Sequence, residues 1–413
     1  MHRKSNKHIF ILAKQATYTQ SSVSFSSART SINMALVRRC QGFKRYAFSV
    51  AYDGSGHLGF SWQHNNENCI TKEGSDLRAL HSVEGKIRLA LSSLVDGRKK
   101  CDASSSSKWE SFNHENFQVS SRTDRGVHAL KNTFHVDIRM GKDTDLAWEP
   151  QKLVRGLNFH LSRNARDETS RYMKECNYHM PPSLMRFPEN DIRITSCVPA
   201  PLELLPNKHY TQGEGSESSL PPSISWNARF TATSRTYLYR ILAHRLPQKH
   251  EIDINPVEEY GFPFEAGRSW RIHCAESLDL KAMKAAAEIL TGTHDFTSFR
   301  GKGCYRSTPI TTVASIAIQS VPLVSTFALH DSTSWGVDHD NNAQMVTVAV
   351  TGNAFLYRQV RNLVGCLASV GQRKVQPCEV ETILQAKDRG RAPEMAPSRG
   401  LYLANVEHGD FFI

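Results

Sequence analysis

Tyr46-Ala47-Phe48-Ser49-Val50-Ala51-Tyr52, followed by Asp53-Gly54-Ser55-Gly56, is the stretch from which the fold can first be read. Large apolar side chains alternate with small ones, the period of a half-buried strand, and the Asp-Gly-Ser-Gly behind them is turn-forming. Ordered structure is expected to begin here.

Upstream the composition changes. Asp53 is the first acidic residue, whereas Arg3, Lys4, Lys7, Lys14, Arg29, Arg38, Arg39, Lys44 and Arg45 precede it and Thr17 to Ser31 is rich in Ser and Thr. This is organelle-targeting composition, so residues 1–42 are read as a targeting segment for a mitochondrion or another organelle. A basic tail that touches RNA, translation from Met34, and a cytoplasmic or nuclear location are the alternatives.

Downstream, Val83, Ile87, Ala90, Leu91 and Leu94 recur at helical spacing behind Ser82 as cap. Gly97 to Asn116 reads as a polar surface loop. Val119 then leads through Ser120-Ser121-Arg122-Thr123-Asp124-Arg125-Gly126-Val127-His128 to a strand marked by Phe134, Val136 and Ile138. Leu161 to Asn190 and Pro199 to Ser225 read as surface excursions.

The order then recurs loosely. Arg235 to Ala243 reads as a strand, and Leu280, Met283, Ala287 and Leu290 as a helical stripe closed by Gly292. Thr312 to Gln319 and Met345 to Val350 read as strands, and Phe355 to Val370 as a helix stopped by Gly371. The pattern implies an α+β fold: two halves, 43–225 and 226–413, of strand-helix-strand-strand type sharing a mixed, largely antiparallel sheet flanked by helices. One sheet face is expected to stay open, as a platform for RNA.

Fifty-one Lys and Arg against 40 Asp and Glu give a net charge of +11, which favours a polyanionic partner. No apolar run reaches the length of a membrane-spanning helix, so a membrane role is not expected. Nine scattered cysteines without a C-x-x-C pair disfavour both a disulfide scaffold and structural zinc.

Four segments could carry chemistry. In Arg122-Thr123-Asp124-Arg125-Gly126, two guanidiniums favour the ionised carboxylate, which could be a nucleophile, a base or a ligand. On spacing alone, an Asp before a Gly is more commonly a turn residue or a cap. Alternation puts Arg235, Tyr237 and Tyr239 on one strand face, where a tyrosine could meet a base or simply pack. Arg361 lies at the margin of a helix stripe, either exposed or turned inward to an anion such as Asp124. Phe296-Thr297-Ser298-Phe299-Arg300 reads as a loop anchored by two core phenylalanines.

Together these segments resemble the TruA family of transfer RNA pseudouridine synthases, from Tyr52-Asp53-Gly54-Ser55 to Glu394 and Gly400-Leu401-Tyr402-Leu403-Ala404. The most specific are Arg-Thr-Asp-x-Gly-Val-His-Ala, Phe-Thr-Ser-Phe-Arg and Val-Arg-Asn-x-Val-Gly, and His128 is similar to the bacterial and organellar branch. The resemblance implies Asp124 as nucleophile, Arg122 as an RNA contact, Tyr237 stacked on the target base and Arg361 as partner of the carboxylate. It further implies cofactor-free and metal-free isomerisation of uridine in the anticodon stem-loop of tRNA, by a homodimer. The turn after Tyr52 carries extra residues before Trp62-Gln63, and the long polar inserts depart from compact members. Rival readings are a catalytically silent RNA-binding or chaperone protein of the same fold and a metal hydrolase using Asp338-His339-Asp340. Residues 1–42 fused to a fluorescent reporter are expected to carry it into an organelle; a diffuse cytosolic or nuclear signal would refute the targeting reading.

Overall fold

Tyr46, Phe48, Val50 and Tyr52 are all buried on one face of the first strand in the computed structural model, which describes residues 42–61, 81–95, 114–140, 147–175, 191–200, 226–245, 265–321, 343–409 and 411. That strand, β1 (Phe43–Tyr52), pairs antiparallel with β3 (His128–Arg139) and β4 (Ile192–Pro199). β2 (His114–Val119) joins the other edge of β3. In the second half β5 (Ser234–Arg245) pairs antiparallel with β9 (Ala343–Gly352) and β10 (Leu401–Glu407), and β8 (Ile310–Val321) joins the far edge of β9. The order β4-β1-β3-β2 is thus repeated as β10-β5-β9-β8. β6 (Trp270–Cys274) and β7 (Gly292–Asp295) extend the second half.

The halves join where β10 runs parallel to the start of β3, Tyr402 opposite His128 and Leu403 opposite Ala129. The result is a ten-stranded mixed, mostly antiparallel sheet in one unit from Phe43 to Ile413. The α+β expectation holds.

Helices cover the apolar face. α1 (Val83–Val95) buries Val83, Ile87, Ala90 and Leu91, and its first turn is capped by Ser82, whose Oγ accepts from the Gly85 N–H at 3.0 Å. α2 (Pro150–Glu175) buries Leu153, Leu157 and Leu161, one residue per turn. Its Asn158 side chain both donates to and accepts from the Ile194 backbone, fixing α2 to β4. Over the second half lie α3 (Leu280–Leu290), α4 (Gln359–Gly371) and α5 (Pro377–Gln385). Phe48, Phe134 and Phe117 stack at 4.8 Å spacings within the core shared by all five helices.

Several expectations are corrected. Leu161 to Asn190 is not a loop throughout, because α2 runs through Glu175; its apolar stripe stops after Leu161, but no Gly or Pro from Ser162 to Glu175 breaks the helix. α4 starts at Gln359 rather than Phe355, since Arg358 takes a left-handed conformation (φ 60°) and Gln359 Oε1 accepts from the Leu356 N–H at 2.8 Å. It also runs through Gly371. Asn116 and its neighbours belong to β2, and β3 begins already at His128. The opposite sheet face is not wholly open either: over β1 and β3 it is covered by Trp226 and Ala228, with His135 accepting from the Ala228 N–H, while over β8 Ser315, Ala317 and Gln319 are exposed. The targeting segment, the greater part of the 97–116 loop, residues 176–190 and 201–225, and Asp338-His339-Asp340 lie outside the described residues.

Gly365 places α4 directly against residues 394–396; a Cβ there would run into the Glu394 carbonyl oxygen. Elsewhere in a helix, Gly→Ala would stabilise by about 1 kcal/mol. Here Gly365→Ala is expected to lower stability by about 1–3 kcal/mol, measured as a fall in the denaturant midpoint.

Candidate active site

Residues 120–127 connect β2 to β3 at the junction of the two halves. The Val127 N–H donates to the Asp124 carbonyl at 3.1 Å, and Gly126 has the positive φ (77°) of the third position of a type II turn. Asp124 is therefore a turn residue through its backbone while its carboxylate stays free for chemistry, so the two readings of this Asp are compatible. Thr123 holds the loop from behind: its hydroxyl is 2.8 Å from the Tyr52 hydroxyl and its carbonyl accepts from Phe60. Asn132, fully buried, donates to the Ser121 carbonyl at 2.8 Å and accepts from the Ser120 hydroxyl at 3.0 Å.

The other half supplies the counter-charge. Arg361, on the first turn of α4, lies 3.3 Å from the Asp124 carboxylate through Nη1 and donates through Nε to the Ala396 carbonyl at 2.8 Å. It is 11% exposed, Asp124 26%. Burial lowers the pKa of Arg361, and the charge of Asp124 opposes that shift. Arg358 is the second cation on Asp124, at 3.8 Å. The sequence neighbours Arg122 and Arg125 are exposed instead, and the cations ion-paired with Asp124 are Arg361 and Arg358.

Tyr237, buried on β5, turns to the same place. Its hydroxyl is 2.8 Å from the Ser121 hydroxyl, and its ring meets Phe355 edge-on at 5.4 Å. Burial raises its pKa, so the phenol is protonated at neutral pH. Arg235, two residues earlier on the same face, donates to the carbonyls of Ser120 (2.9 Å), Asn353 (2.5 Å) and Arg229 (3.3 Å). Tyr239 is a packing residue, its hydroxyl spent on the Pro397 carbonyl.

Asp124, Arg122, Tyr237 and Arg361 all line one cleft of about 810 Å³, a volume suited to a small ligand or a nucleotide. It lies on the helix-bearing side of the sheet, not on the open face. Arg235 and Arg358 line it too. Sequence reasoning had placed Arg235 on the right face without a role and had missed Arg358; a left-handed residue at a helix start leaves no pattern in the sequence. Phe296 and Phe299 are core residues as expected. His128 is buried, stacked on Tyr402, with Nδ1 3.2 Å from the Asp53 carboxylate and Nε2 3.1 Å from the carbonyls of Gly267 and Arg399. Its hydrogen bond holds the Asp53 carboxyl well below the usual range.

Comparison with known proteins agrees with this geometry. A family model described as tRNA pseudouridine synthase matches residues 286–408. A protein of Ruegeria sp. (strain TM1040) named tRNA pseudouridine synthase A is 27% identical over 366 residues, covering 89% of this chain and 96% of the relative. A protein of the same name from Caulobacter vibrioides (strain NA1000 / CB15N) is 28% identical over 366 residues, covering 89% of this chain and 99% of its own. The chain is thus similar, over most of its length, to proteins named tRNA pseudouridine synthase A. The similarity extends over nearly the full length of these relatives.

The two cations on Asp124 differ in weight. Arg361→Met is expected to destabilise the fold by about 2 kcal/mol or more, because it leaves a partly buried carboxylate short of its nearer partner. Arg358→Met, removing a longer and exposed contact, should cost less than about 1 kcal/mol. Chemical denaturation of both variants checks the order.

Proposed function

We propose that this chain is a tRNA pseudouridine synthase that isomerises uridine in the anticodon stem-loop, with Asp124 as nucleophile. The observation that carries the reading is the Asp124 carboxylate in the cleft, ion-paired with Arg361 at 3.3 Å, with Tyr237 lining the same cleft. The reaction breaks the bond from uracil N1 to ribose C1′, turns the base and joins C5 to C1′; a proton leaves C5 and N1 gains one. There is no net oxidation, and a positioned carboxylate can serve the exchange by forming a transient covalent adduct.

Each residue then has a task. The Arg361 pair fixes the direction of the Asp124 carboxylate. The Tyr237 ring offers a face for the flipped uracil, and its protonated hydroxyl, already shared with Ser121, can donate a hydrogen bond. Arg122 and Arg358 present positive charge to the RNA backbone. The net charge of +11 suits such a partner. The homodimer and the organellar location remain part of the proposal, resting respectively on the family resemblance and on the basic composition of residues 1–42.

Asp124→Asn keeps the size of the side chain but removes its charge and nearly all its nucleophilicity. Single-turnover pseudouridine formation on an anticodon stem-loop is expected to slow by about four orders of magnitude or more, roughly 5 kcal/mol. RNA affinity should change little or tighten. A variant that folds, binds RNA and still isomerises within about tenfold of wild type would overturn the assignment and favour a binding role for the cleft.

A further inference from the structure

Two large rings remain exposed at the cleft: Phe230 at 58% and Tyr357 at 38%. Neither belongs to a hydrophobic core cluster, and neither is needed to anchor its own turn. The turn around Phe230 is held by fully buried Trp226 and by Asn227, whose Oδ1 accepts from the N–H groups of Arg229 and Phe230. The turn around Tyr357 is held by buried Leu356 and by Gln359.

Each ring is accompanied by its own guanidinium. Arg229 Cζ lies 5.5 Å from the Phe230 ring centre, and Arg358 Cζ 4.6 Å from that of Tyr357. A ring beside a guanidinium matches the two parts of a nucleotide, a base to stack and a phosphate to pair. The placement of both units is fixed against the Asp124 loop by Arg235, whose guanidinium binds the carbonyls of Arg229, Asn353 and Ser120 at once. One cation thus ties both rims to the loop that bears the carboxylate.

We infer that Phe230 and Tyr357 are stacking platforms for two nucleotides next to the target uridine, so that the cleft takes up a short unstacked stretch of RNA and not a single flipped base. The inference rests on the function proposed above and deepens it: the preferred substrate is a loop, or a stem end that opens readily, since unstacking three nucleotides within a stable duplex costs several times the few kcal/mol of flipping one.

The test is a binding cycle with the full chain and a stem-loop RNA carrying one target uridine, intact or with an abasic nucleotide at each neighbouring position in turn. Phe230→Ala and Tyr357→Ala are each expected to weaken binding of intact RNA by about tenfold, and Phe230→Trp to retain it. Each alanine loss should vanish on the RNA abasic at one particular neighbour. Unchanged affinity in folded alanine variants, or a loss equal on every RNA, would overturn the inference. Pseudouridine formation by the wild type is measured on the same intact RNA. Turnover without the cycle pattern refutes the stacking inference alone, the cycle pattern without turnover refutes the catalytic reading alone, and no RNA binding refutes both.

Discussion

A partly buried carboxylate needs a counter-charge, and Asp124 receives its nearest one from the opposite half of the sheet. Arg361 reaches it from α4 while holding the Ala396 carbonyl, and the Ala396 N–H donates back to the Arg361 carbonyl at 3.1 Å. The pair cannot form unless α4, the 394–396 segment and the β2–β3 loop are all in place. The site is therefore a consequence of the two halves meeting, and either half alone would leave a charge uncompensated.

The meeting itself is narrow. β3 and β10 share only two paired positions, and the stiffness of the junction comes from side chains placed across it. His128 binds three separate backbone segments and stacks on Tyr402, Arg235 collects three carbonyls, and Asn132 fixes the loop before Asp124. Pre-organisation of this kind lowers a barrier by holding reacting groups in position before the reaction begins. The same ties bring Phe230 and Tyr357 to the rim without requiring either ring for the fold.

Short-range regularity made much of this legible. β1, β5, β8 and β9 were visible from alternation, and α1 and α3 from their apolar stripes, because a period of two or of 3.6 is a local property. α2 was hidden by its polar second half. β4, β6 and β10 are short strands whose burial depends on neighbours far away in the chain. The early start given to α4 failed because Leu356 is buried in the turn before the helix and so imitates its stripe.

For the site, the sequence by itself determined which residue types were available and, through the joint motifs around Asp124, Tyr237 and Arg361, which family they resemble. It also fixed the turn at Asp124, since Gly126 is what allows the positive φ. Only the tertiary structure decided which cations pair with the carboxylate, because Arg122 and Arg125, adjacent in sequence, are exposed, whereas Arg361 and Arg358 come from more than 230 positions downstream. The physical reason is that side-chain direction and burial at a junction are set by packing between elements, and no local period encodes them.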